Sequence, residues 1–253
     1  MAKNVRATKY GSWVSWKLIL VPFVLALVLG ALAVLLIWLV IPAALLLLVA
    51  AYFGYARYLL SPRGKDVQSQ VHDLVLQHLA WKGRGKALDI GCGSAALTIK
   101  LAKKHRSSKL VGVDYWGTQW EYSQEECESN AKVEGVSKRI VFQKASASSL
   151  PFKNSTFDAV VSNLVFHEVR DCKDRLQPIR EALRVLKRGG RFTFQDLFFE
   201  GRLYGNPGDL LKTVKSFGVR KVAFVRTRDA AFIPGALKPP FMLGTLGILT
   251  GVK

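Results

Sequence analysis

Acidic residues are missing from the first quarter of this chain. All 18 of its Asp and Glu residues lie at or beyond Asp66, and the 39 positions from Leu18 to Ala56 carry no charge of either sign. A run of that kind has no polar face to turn to water, which excludes a solvated surface helix. Cysteine is also scarce. Cys92, Cys127 and Cys172 are odd in number and without CxxC spacing, which argues against a disulfide framework and a zinc site and makes a reducing compartment the default. The four histidines, His72, His78, His105 and His167, form no metal-ligand pattern, and no internal repeat is present.

The uncharged run is too long for one crossing of a bilayer. About 20 apolar residues span a core of roughly 30 Å, whereas 39 residues in one straight helix would reach about 58 Å at 1.5 Å per residue. Two crossings are therefore expected, Leu18–Leu39 and Ile41 to about Tyr58, with Pro42 as the break. Trp13 and Trp16 at one end and Tyr52, Tyr55 and Tyr58 at the other have the character of interfacial anchors. Lys3, Arg6, Lys9 and Lys17 precede the block, and Arg57, Arg63 and Lys65 follow it. The positive-inside tendency then places both flanks in the cytoplasm. A re-entrant hairpin is the alternative, because Val40-Ile41-Pro42 has no polar residue to form a turn in water. A secretory signal is excluded by length, since its apolar core is about 7–15 residues.

These readings give a domain plan: a basic cytoplasmic N-terminus over residues 1–17, a transmembrane hairpin over 18–60, a linker over 61–66 at Ser61-Pro62-Arg63-Gly64-Lys65, and one domain over 67–253. Five of the 37 basic residues precede residue 60 and every acid follows it, so the remainder carries a net charge of +14. That excess suits a polyanionic neighbour, and membrane lipids account for it without any recognisable RNA-binding module. The multi-pass membrane location and a cytoplasm-facing domain are the resulting expectations.

Beyond the linker the pattern changes to alternating short apolar runs and amphipathic helices. Val67, Val71, Leu74, Val75 and Leu79 have helical spacing. Ala87-Leu88-Asp89-Ile90 is a buried strand that breaks into Gly91-Cys92-Gly93, and Ala95–Ala102 opens a helix. A strand, a glycine turn and a helix start are the opening of a nucleotide-binding βαβ unit. The next strand, Lys109–Asp114, ends in an acid 21 residues after Gly93, close to the offset of about 20 at which a carboxylate grips ribose hydroxyls. A polar helix from Glu121 to Lys132 comes next, then strands at Arg139–Gln143, Phe157–Asn163 and Arg191–Asp196. Helices are expected around Leu176–Leu186, ended by Gly189-Gly190, and at Asp209–Phe217, with extended segments at Val219–Arg226 and Thr245–Val252. The expected fold is α/β, a doubly wound and mostly parallel sheet.

The ordered set Leu88-Asp89-Ile90-Gly91-Cys92-Gly93, Val111-Gly112-Val113-Asp114, Leu150-Pro151-Phe152, Phe157–Asn163 and Leu186-Lys187-Arg188-Gly189-Gly190-Arg191-Phe192 resembles the class I S-adenosylmethionine (SAM)-dependent methyltransferases, in particular the quinone and small-molecule branch. The resemblance implies a Rossmann-like seven-stranded sheet with the last strand antiparallel and SAM across the carboxyl ends of the strands. It also implies that Asp89, Gly91, Cys92 and Gly93 meet the methionine portion, Asp114 the ribose, Tyr115 or Trp116 together with Ser146 and Ala147 the adenine surroundings, and that Asn163 approaches from the fourth strand. Two positions depart from the family: Ala95 stands where a further glycine is common, and Ser146 where an acid is common.

Methyl transfer from a sulfonium is an in-line displacement in which alignment supplies much of the catalysis. A base is needed only where the acceptor must lose a proton, and His167, with Glu168 beside it, comes after the fourth strand at the place where one would act. The expected activity is a membrane-anchored methyltransferase with SAM as donor and a small-molecule or lipid acceptor. The competing readings are a methyltransferase of a soluble metabolite or protein, a NAD-binding Rossmann enzyme, and a non-catalytic membrane scaffold. The NAD reading is weakened by the missing third glycine at Ala95.

Overall fold

The computed structural model of the chain describes residues 8–117 and 122–253, so the charges at Lys3 and Arg6 and the start of the helix expected from Glu121 lie outside the described residues. Two compact units are present, one formed by Ser12–Gln70 and the other by the segment ending at Gly11 together with Val71–Lys253.

The smaller unit is a helical pair. Helix α1 covers Lys17–Leu32, a 3-10 turn covers Ile37–Leu39, and α2 covers Val40–Leu60. The break expected at Pro42 falls instead at Ala33–Leu36, while Pro42 sits in the first turn of α2, where its missing N–H costs no intrahelical bond. That displacement corrects the two-crossing expectation. Among the described residues only Ile37–Leu60, 24 residues long, has the length and apolarity to cross a membrane. The 16 residues of α1 rise about 24 Å, short of a core of roughly 30 Å. Large apolar side chains remain bare along both helices and their connection, Leu27 on α1, Leu48 on α2, and Leu35 and Trp38 between them at 86 % and 72 % exposure. At the charged end the Arg57 guanidinium donates to the Val14 carbonyl and lies 4.3 Å from the centre of the Trp16 ring.

Helix α3, Val67–His78, leads into the sheet. Seven strands stand in the order β3-β2-β1-β4-β5-β7-β6. They are β1 (Lys86–Ile90), β2 (Lys109–Asp114), β3 (Ile140–Lys144), β4 (Phe157–Asn163), β5 (Leu186–Asp196), β6 (Lys221–Arg226) and β7 (Gly247–Val252). Strand β7 pairs antiparallel with both β5 and β6, and the other pairings are parallel. Strand β1, between β2 and β4, is buried and apolar on both faces apart from Asp89 and the exposed Lys86 at its start. The helices are α4 (Ala96–Lys104), α5 (Gln124–Val133), α6 (Gln177–Val185), the short α7 (Gly201–Tyr204) and α8 (Pro207–Ser216).

One sheet expectation is revised. Gly189-Gly190 does not end α6, which stops at Val185; the glycines lie within β5. The pairing jumps from Phe157 with Leu186 to Ala159 with Arg191, so the extra residues of β5 form an irregularity between those two pairs.

Candidate active site

The turns of the site follow the carboxyl ends of parallel strands. Strand β1 ends at Ile90, and Gly91 (φ +70°) and Gly93 (φ +54°) turn the chain into α4 through the left-handed region. A Cβ at Gly91 would stand 2.0 Å from Val165 Cγ2, so bare backbone is required there by close packing from the loop after β4. The amides of Gly91 and Cys92 donate to the Val113 carbonyl at 2.7 and 3.0 Å, fixing the turn to β2. Cys92 is buried between them, and burial pushes its thiol pKa up, which removes it as a nucleophile. Ala95, one of the two departures from the family pattern, is itself left-handed at φ +68° and fully buried, a conformation that costs a residue with a Cβ roughly 1–2 kcal/mol.

Asp114 closes the turn from the neighbouring strand. Its Oδ2 accepts from the Gly93 amide and its Oδ1 from the Trp116 amide, both at 2.8 Å. Each oxygen keeps acceptor capacity for a ribose hydroxyl. The Trp116 indole donates to the Gly93 carbonyl at 3.1 Å, whereas Tyr115 is 63 % exposed with the Lys144 ammonium over its ring. Of the two aromatic candidates, Trp116 is the one brought to the glycine turn. The Ala145 amide donates to the Asp114 carbonyl, which sets Ser146 and buried Ala147 beside the tip of β2. The Ser146 hydroxyl is engaged with Ser148 at 2.9 Å.

Two buried acceptors flank this turn without a partner among the described residues. Asp89 accepts from the Thr98 hydroxyl on Oδ2 at 2.6 Å, but its Oδ1 has no partner. Asn163, at the end of β4, faces His72 Nε2 through Nδ2 at 3.4 Å, and its Oδ1 has none. Burial, with the nearby Asp114 charge adding to it, raises the Asp89 pKa to about 7. Orphaned acceptors of this kind are costly unless something donates to them, and a group rich in donors and positive charge satisfies that demand. The residues present therefore fit the aminocarboxylate and sulfonium end of SAM.

A second constellation adjoins it on β5. Asp196, fully buried at the carboxyl end of that strand, accepts from the amides of Phe166 and Leu197 at 2.7 Å and of His167 at 3.3 Å, and lies 2.7 Å from His167 Nδ1. The short turn Phe166–Glu168 carries His167 to this carboxylate and leaves Nε2 3.7 Å from Glu168. Burial opposes the charged imidazolium, yet the Asp196 bond and the Asp196 and Glu168 charges outweigh it and raise the His167 pKa. Tyr204 is buried near Asp196, and burial together with that negative charge holds its hydroxyl protonated.

Sequence reasoning located Asp89, Gly91, Gly93, Asp114, Asn163 and His167 at this edge but assigned no role to Asp196, His72 or Thr98. Asp196 carried a usable signal, an acid ending an apolar strand as Asp114 does. His72 carried none, because its approach to Asn163 joins positions 91 residues apart.

Residues 88–194 match the family described as "Methyltransferase domain". The chain is 28% identical over 161 residues to 27-O-demethylrifamycin SV methyltransferase of Amycolatopsis mediterranei, covering 64% of this chain and 56% of that protein. It is 31% identical over 128 residues to demethylmenaquinone methyltransferase of Lactiplantibacillus plantarum, covering 50% and 48%. The chain thus spans about half the length of these curated relatives. Among solved structures it is similar to geranyl diphosphate methyltransferase in complex with SAM, with a TM-score of 0.52, 16% identity, and coverage of 73% of this chain and 84% of that one. A likeness at that identity speaks for the fold. The glycine turn, the acid at the tip of β2 and the reversed last strand accord with the match of residues 88–194 to the methyltransferase-domain family.

Proposed function

We propose that this protein is a membrane-anchored methyltransferase that transfers the methyl group of SAM to a lipophilic acceptor which must give up a proton. The observation that carries the donor half is the pair of buried orphan acceptors, Asp89 Oδ1 and Asn163 Oδ1, beside a glycine turn that Asp114 closes. When bound, SAM supplies an electrophilic methyl on a cationic sulfur. Asp89 and Asn163 accept from its ammonium, and Asp114 accepts from the ribose hydroxyls.

The acceptor half rests on the His167–Asp196 pair. Asp196 takes the Nδ1 proton of neutral His167 as a hydrogen bond, which leaves the Nε2 lone pair as the general base. That arrangement suits a hydroxyl, phenol or enol, whose oxygen or adjacent carbon becomes nucleophilic as the proton leaves. The membrane half is supported by Ile37–Leu60 and by the bare apolar surface of the helical pair. Arg57 bound to the Val14 carbonyl supports an embedded hairpin with both charged ends at one interface and one arm long enough to reach across.

The test is incubation of membranes with methyl-labelled SAM, with and without the protein. Label appearing in the lipid extract is the expected result. Label confined to water-soluble products would replace the lipophilic acceptor with a soluble one. Equilibrium dialysis against SAM and NAD separates the remaining readings, since binding of NAD alone, or of neither, would overturn the donor assignment.

A further inference from the structure

The segment Thr8–Gly11 belongs to neither a strand nor a helix, yet it is firmly tied down over the glycine turn. Asn130 of α5, 2 % exposed, treats it as a neighbouring strand would. Its Oδ1 accepts from the Lys9 amide at 2.9 Å and its Nδ2 donates to the Lys9 carbonyl at 2.8 Å. The same Nδ2 donates to the Ser94 carbonyl at 3.0 Å, and the Ser94 hydroxyl donates to the Tyr10 carbonyl at 3.0 Å. The Tyr10 hydroxyl reaches Glu134 at 3.0 Å. Four of these five bonds converge on Ser94 and Asn130, next to the second glycine of the donor turn.

The tied segment ends in Gly11, which is left-handed at φ +68°, and a Cβ there would stand 2.6 Å from Cε1 of the Tyr122 ring. The same ring lies 3.6 Å from the Cβ position of Gly93. Tyr122 thus meets the strap glycine with one edge of its ring, through Cε1 and the hydroxyl, and the donor-turn glycine with the other, through Cδ2 and Cε2.

We propose that Tyr122 is the roof of the donor site, presenting its aromatic face to the cationic methionine end of SAM, and that Thr8–Gly11 is the strap that positions it. The chemistry is complementary: an aromatic face attracts an ammonium or sulfonium, and the missing side chain at Gly11 leaves the ring its place. Asn130 and Ser94 are positioning residues in this arrangement, acting through the strap. The roof rests on the assignment of SAM as the donor.

The experiment is equilibrium dialysis of the full chain in detergent micelles with SAM, paired with thermal unfolding in its absence. Tyr122→Ala is expected to weaken SAM binding about five- to tenfold. Tyr122→Phe, which keeps the ring, should stay within about twofold of the parent. Gly11→Ala should weaken binding in the parent but add nothing in the Tyr122→Ala background, because both act on one ring. A parent protein that binds no SAM overturns the donor reading and the roof with it. A parent that binds SAM with Tyr122→Ala equal to it overturns the roof alone. Gly11→Ala effects that add fully to those of Tyr122→Ala, or that appear only as a lower unfolding temperature, overturn the strap.

Discussion

His167 and Asp196 make the sharpest residue-level case. Removing the imidazole in His167→Ala is expected to lower kcat by about 10²–10⁴-fold, the span of a positioned general base. SAM affinity, read by dialysis, should be unchanged. The pH dependence has a definite sign. The raised His167 pKa means that Nε2 is protonated below it, so turnover should rise with pH through that value. Asp196→Asn removes the charge that raises it, which should move this limb to lower pH while reducing kcat. Unchanged turnover in His167→Ala would leave alignment as the whole of catalysis. Asp89 gives a second titration. Its pKa is about 7 in the fold against an ordinary 3.8, so the native state holds a proton that the unfolded chain releases. Stability in the absence of donor should therefore fall as pH rises from about 4 through 7. Asp89→Asn should abolish that decline in thermal unfolding curves. SAM binding favours the ionised carboxylate, so affinity should tighten between about pH 6 and 8.

At the scale of elements, the glycine turn separates two demands that look alike in sequence. Gly91 is confined by Val165 Cγ2, whereas the Cβ position of Gly93 meets only the Tyr122 ring at an ordinary distance. Gly91→Ala should destabilise the fold by about 1–3 kcal/mol through overpacking plus its left-handed angle, and Gly93→Ala by the backbone share alone, about 1 kcal/mol. Thermal denaturation distinguishes them, because 1 kcal/mol moves the midpoint of a domain this size by about 2–4 °C. Gly91→Ala should also displace the loop that leads to His167, so its kcat should fall more than its SAM affinity. The bounds of Phe157–Asn163 were legible because its apolar centre, Ala159-Val160-Val161, is buried on both faces of the sheet and the polar Ser162 and Asn163 mark its end. The end of α6 was not, since Gly189-Gly190 has the composition of a helix stop and only the pairing of β5 with β4 reveals its actual place.

For the whole molecule, the apolar hairpin predicts behaviour that the sheet domain cannot produce. The protein should remain with membranes after alkaline carbonate washing and be released by detergent. Single cysteines placed near Lys9 and Lys65, in a background without the native three, should label from the same side with an impermeant reagent. Labelling from opposite sides would mean that the Arg57 contact with Val14 does not hold in the bilayer.

The succession of strands along the chain, the glycine turn and the acid ending the next strand were determined by the sequence alone, because each is written in local periodicity and residue type. The uncharged run likewise announced a segment unsuited to water. Where that run turns was decided by the tertiary structure, since Ala33–Leu36 and Pro42 are equally apolar and differ only in how the two helices pack. The His167–Asp196 pair, the meeting of His72 with Asn163, and the contacts of Tyr122 with Gly11 and Gly93 were also decided there. In each case the partners lie 29 to 111 positions apart and are joined by a sheet register or a strap rather than by any spacing along the chain.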